Sequence, residues 1–166
     1  MKKIKEILLN KISDIIEKIN PISNETLALA IGSMLSKQQL LMSSTDINDF
    51  EFKIFSQFGE DGIIQHLIKY VKVENKIFIE FGVENYQESN TRFLMMNNNW
   101  QGFVMDGSDK AIKSLKNRNW YWKYNLTGKA VFIDKDNINE LLANTGFSNI
   151  GLLSIDLDGN DYHIFK

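Results

Sequence analysis

From residue 76 onward the sequence alternates short apolar runs with stretches of helical length, and that alternation leaves few architectures open. Residues 76–81 read KIFIEF, 102–105 GFVM, 130–133 AVFI and 150–155 IGLLSI. Each run is short, apolar and rich in β-branched or aromatic residues, so each is expected to be a buried strand. Residues 90–96, 111–116 and Ile138–Ala143 read as the intervening helices, the last stopped near Gly146. Residues 59–70 carry Ile63, Ile64, Leu67 and Ile68 on one stripe, which predicts a helix ahead of the first strand. Strands spaced by helices imply βαβ units and an α/β fold with a mostly parallel sheet.

The segment before this region reads differently. Ile4, Ile7, Leu8, Ile12, Ile15, Ile16 and Ile19 recur at helical spacing among charged residues, and Asn20-Pro21 ends the pattern. Ser23 or Asn24 then caps a second helix, with Glu25 in its first turn, running to about Leu41. Residues 43–46 read as a linker. The expected organisation is an N-terminal helical segment, 1–45, and an α/β domain, 46–166. With 166 residues the chain is long enough to bury one real core. No apolar run is long enough to cross a bilayer, and no signal peptide is evident. The amphipathic 2–19 stretch is expected to pack on the domain or a partner rather than on a membrane surface. The absence of cysteine removes disulfides, thiolate metal sites and thiol nucleophiles, and fits a cytoplasmic protein. A net charge of −2 gives no reason to expect nucleic acid as a partner.

In an open parallel sheet, ligands bind beyond the carboxyl ends of the strands. Here those ends are acidic. The first run leads into Glu80, Gly82 and Glu84, the second into Asp106, the third into Asp134 and Asp136, and the fourth into Asp156, Asp158 and Asp161. A phosphate-cradling turn would be glycine-rich and would not set two acids against an anion. A cationic, phosphate-free nucleoside suits this rim better. Asp106 follows Gly82 by about the length of a βαβ unit, the spacing of a ribose-binding acid.

Blander roles compete. Asp134 and Asp136 are expected to cap a helix. Glu80, inside an apolar strand, needs a partner, either a ligand or a structural hydrogen bond. Asp156, Asp158 and Asp161, with His163, have the chemistry to hold Mg²⁺, but helix capping is favoured over a metal site. His66 is expected to be a packing or surface residue. Trp100, Trp120 and Trp122 are expected to pack.

The stretches FSQFGED (55–61), IEFGVENYQESNT (79–91), NNWQGFVMDGS (98–108) and LLSIDLDGNDY (152–162) together resemble the FkbM-like methyltransferases, across about residues 53–165. The resemblance implies a Rossmann-like sheet of the class I methyltransferase type and S-adenosylmethionine as cofactor. It implies methyl transfer to a hydroxyl, on a small molecule, a sugar or a glycoconjugate. By position, Glu80, Gly82 and Glu84 would approach the methionine moiety and Asp106 the ribose. Asp156 and Asp158 would face the reacting centre, and Asp156 the cofactor as well. The sequence departs from the family in having Glu80 where an aspartate is usual. The sheet is also expected to stop after strand four, leaving an apolar edge for a second copy or a partner chain to cover. A non-catalytic, methyltransferase-like binding or assembly module is the alternative reading.

Overall fold

The computed structural model describes residues 24–157 and 159–166. The amphipathic stretch 2–19 and Asp158 lie outside the described residues. The elements run α1 (Asn24–Gln38), α2 (Glu60–Tyr70), β1 (Ile77–Phe81), α3 (Arg92–Asn98), β2 (Gln101–Asp106), α4 (Asp109–Lys116), β3 (Leu126–Ala130), α5 (Ile138–Ala143), β4 (Leu152–Ile155) and α6 (Asp161–Phe165). A 3₁₀ turn, Gln39–Leu41, extends α1 to the end expected from sequence.

The sheet has the order β3-β2-β1-β4, and every pairing is parallel. Residue 78 pairs with 102 on one side and 152 on the other, so β1 is central. This is the Rossmann-like α/β arrangement expected. The order turns back between β1 and β4, which is where such sheets open a crevice.

The period-two alternation of β1 divides the interior into two cores. Phe78 joins Val104, Leu94, Met95, Ile112, Leu115, Trp100 and Trp120 on one face. Ile79 and Phe81 join Met105, Ile133, Ile138 and Leu141 on the other. Burial of such side chains stabilises by about 1.5–3 kcal/mol each. Helices therefore cover both faces, α3 and α4 on the first, α5 on the second. Glu80 shares the Phe78 face and lies fully within it, at 2% exposure.

The third strand lies earlier in the chain than its apolar run. Residues 126–130, LTGKA, pair with β2, so of the expected run 130–133 only Ala130 belongs to the strand. Leu126 and Gly128 face inward, and a side chain at 128 would press on Leu115 and Ile112 of α4. A small residue is thus what the helix-covered position takes. The AVFI run instead leaves the sheet: Ile133 enters the second core, while Phe132 is exposed. Trp100 and Trp120 are buried as expected, but Trp122 is 79% exposed, with the Lys123 ammonium over its ring. His66 packs, stacked on Phe50 at 3.6 Å between centroids.

Candidate functional site

A cleft of about 360 Å³ opens at the carboxyl ends of β1, β2 and β4. Glu80, Gly82, Glu84, Asp106 and Asp156 all line it, joined by Gln57, Val83, Glu88, Ser89, Asn90 and Leu157. Among the described residues, five carboxylates and no Lys, Arg or His therefore form its wall.

Gly82 explains how the cleft is shaped. Its φ is +76°, and a Cβ there would sit 1.6 Å from the Asp156 carbonyl oxygen. The chain leaving β1 thus runs directly against the end of β4, with Asp156 N donating to Phe81 O at 3.2 Å. Only glycine has both the conformational freedom and the missing side chain for this approach.

The loop that follows is held in an uncommon path. Glu84 and Tyr86 adopt positive φ, 45° and 60°. A bulky residue there is an outlier that the surroundings must enforce. Asp106 enforces one part: its Oδ2 accepts from Glu84 N at 2.7 Å, and its Oδ1 accepts from Ser108 N at 2.7 Å. Asp106 is only 9% exposed and ties the first loop to the second. Each of its oxygens keeps one further acceptor position, enough for a diol.

Glu80 enforces the other part. Its carboxylate accepts from Ser89 Oγ at 2.6 Å, Asn90 N at 2.9 Å, Thr91 N at 3.3 Å and Thr91 Oγ1. Because the Thr91 hydroxyl donates to Glu80, it accepts from the Tyr86 hydroxyl at 2.8 Å. This chain of bonds draws Tyr86 into the core at 0% exposure. Burial, with the Glu80 charge nearby, holds the Tyr86 phenol well above its ordinary range. Glu80 thus shapes the loop through its structural bonds. Oε1 accepts a single bond, from Asn90 N, and keeps a further lone pair.

Burial pushes the Glu80 carboxyl above its ordinary 4.5, against the pull of its donors. A group whose folded-state value is raised stabilises fully below the unfolded value and loses that contribution as pH rises through the folded one. Urea melts between roughly pH 4 and 8 are expected to show stability falling more steeply above about 4.5 in the native chain than in Glu80→Gln. Equal slopes would remove Glu80 as the cause.

The other acids divide differently. Asp134 does not cap α5 itself but closes the turn that leads into it, its Oδ1 accepting from Asp136 N and Asn137 N at 2.9 Å. Asp136 contributes its backbone N–H to that turn, not a side-chain cap. Neither reaches the cleft, because the third strand ends well before them. Asp161 turns back to accept from Leu157 N at 2.6 Å, a bond to the segment ahead of α6, which has no side-chain cap at Asn160. His163 lines a separate groove with Lys135 and Ile164. Among the described residues no group of three His, Asp or Glu side chains is placed to hold a metal ion. Among them also, no helix is long and apolar enough to cross a membrane.

Several contributors carried no strong sequence signal. Gln57, Ser89 and Asn90 line the cleft as polar residues of two loops. Arg92, the cation nearest in sequence to the first loop, turns away from the acids. It is buried between the rings of Phe55 and Trp120, pairs with Glu25 and bonds Gln87 O at 3.1 Å. Burial, and Arg118 close by, lower its pKa to about 10. The run Ser89-Asn90-Thr91, three consecutive polar residues before a helix, was the available clue to the Glu80 partners. Comparison with family models, with curated proteins and with solved structures finds no match.

Proposed function

We propose that this cleft binds S-adenosylmethionine and that the chain is a methyltransferase of the FkbM-like kind, acting on a hydroxyl of a small molecule or glycan. The observation that carries the reading is the acidic cleft at the strand-order switch, lined among the described residues by no cation, with Asp106 at the end of β2. A nucleotide phosphate would meet five carboxylates there and, among the described residues, no lining cation. A ligand with an ammonium, a sulfonium and an uncharged ribose meets favourable fields at its two cationic centres.

The cofactor supplies an activated methyl group on a positively charged sulfur. Asp106 takes the ribose hydroxyls on the acceptor positions left over from Glu84 N and Ser108 N. Glu84 and Glu80, whose Oε1 keeps an acceptor position, would take the ammonium end. Asp156, at the exposed end of β4, is the carboxylate disposed to take the acceptor's proton as its oxygen bonds to the methyl carbon. This chain's residues would supply binding, orientation and the proton's destination, with the carbon–sulfur electron pair left on sulfur. Most of the rate advantage expected from this arrangement is orientation rather than acid–base strength.

Calorimetric titration with S-adenosylhomocysteine, beside ATP and NAD, tests the reading. Saturable binding of the first and none of the other two is expected. A folded chain that binds ATP, or that ignores S-adenosylhomocysteine, would sink it.

A further inference from the structure

The five acids create a difficulty for the ligand proposed above, whose amino-acid end carries a carboxylate as well as an ammonium. Among the lining side chains, hydrogen-bond donors are few. Ser89 Oγ donates to Glu80, and Asn90 Nδ2 donates to Ser154 Oγ at 3.3 Å. The Gln57 side-chain amide lines the cleft, is exposed and has no partner among the described residues. Nearby, Lys53 Nζ donates to Gln57 O at 2.7 Å and lies 3.9 Å from Glu88 Oε1, itself on the cleft wall. An ammonium has three donors, so Lys53 keeps capacity for another acceptor.

The segment that carries these two residues is firmly built. Asp61 Oδ2 accepts from Ile54 N, Phe55 N and Ser56 N at 2.6–2.8 Å, and Ser56 Oγ accepts from Asp61 N at 3.1 Å. Glu60 Oε2 accepts from Phe58 N and Gly59 N. Ser89 N donates to Phe55 O at 3.0 Å, which fixes the segment to the loop after β1. The motif FSQFGED is thus a device in which two acids hold the backbone on either side of Gln57. Preorganisation of this kind is worth most where a side chain must meet a ligand at little entropic cost.

We propose that segment 53–58 is the wall that reads the ligand's carboxylate, through Gln57 Nε2 and Lys53 Nζ. The inference rests on the methyl-donor reading and extends it to the selection of ligands with an intact amino-acid end. Both side chains are exposed, so their removal leaves the core untouched.

The test compares S-adenosylhomocysteine with 5′-methylthioadenosine, which keeps the nucleoside and thioether but lacks the amino-acid end. Native chain, Gln57→Ala, Lys53→Ala and the double variant are titrated with both, and their thermal midpoints are measured as a folding control. The double variant is expected to lose about tenfold or more in affinity for S-adenosylhomocysteine with that for 5′-methylthioadenosine unchanged. Undiminished S-adenosylhomocysteine binding by the double variant overturns the proposal while leaving the methyl-donor reading intact. Equal losses for both ligands also overturn it, since the segment then only supports the cleft. Failure of the native chain to bind either ligand overturns both readings together.

Discussion

Gly82→Ala is expected to destabilise the chain by about 4 kcal/mol and to abolish ligand binding even where the variant remains folded. Two costs combine. The left-handed backbone at φ +76° is unfavourable for alanine on its own. The larger cost is steric, because the new methyl would overlap a backbone carbonyl, that of Asp156, rather than a side chain able to swing away. Relief requires β1 and β4 to part at their carboxyl ends, and the cleft is built on that junction. Urea unfolding measures the first effect and calorimetry the second. A variant within about 1 kcal/mol of the native chain would mean that the β1–β4 junction is far more compliant than its close approach implies.

The second large effect is expected at Asp106. Asp106→Ala removes the two acceptors that hold Glu84 N and Ser108 N, together with the acid assigned to the ribose diol. Loss of charge-assisted bonds in a partly buried setting corresponds to about 3 kcal/mol, or roughly 100-fold in affinity for S-adenosylhomocysteine. Asp106→Asn keeps one carbonyl acceptor and is expected to fall between the two. If Asp106→Ala loses stability but binds as before, Asp106 is only a loop anchor and the diol lies elsewhere.

How far these features were legible depended on whether their cause was local. KIFIEF and GFVM gave their strands because both faces of β1 and β2 are buried, which demands continuous apolar sequence. β3 was displaced in the sequence reading because LTGKA owes its place to pairing with β2 and to the small Gly128 beneath α4. An apolar run next to it served a different core. Glu80, Gly82, Glu84, Asp106 and Asp156 were readable because strand ends converge in a parallel sheet whatever lies between them. Gln57 was not, since its segment reaches the cleft through bonds to Asp61 and Ser89. The positive φ of Glu84 and Tyr86 was equally hidden, because neither residue type prefers it and the Asp106 and Thr91 bonds impose it.

The order of the sheet also carries a consequence in time. β1 meets β2, and β2 meets β3, across comparable short crossovers, but β1 meets β4 only by joining residue 78 to residue 152. Closing that longest loop costs the most chain entropy and is expected to come last. The acidic cleft has β4 as one wall, so it does not exist until that final pairing forms. Competence to bind should therefore appear later in refolding than the burial of Trp120, which packs against Tyr86, Arg92 and Tyr124, all ahead of β4 in the chain.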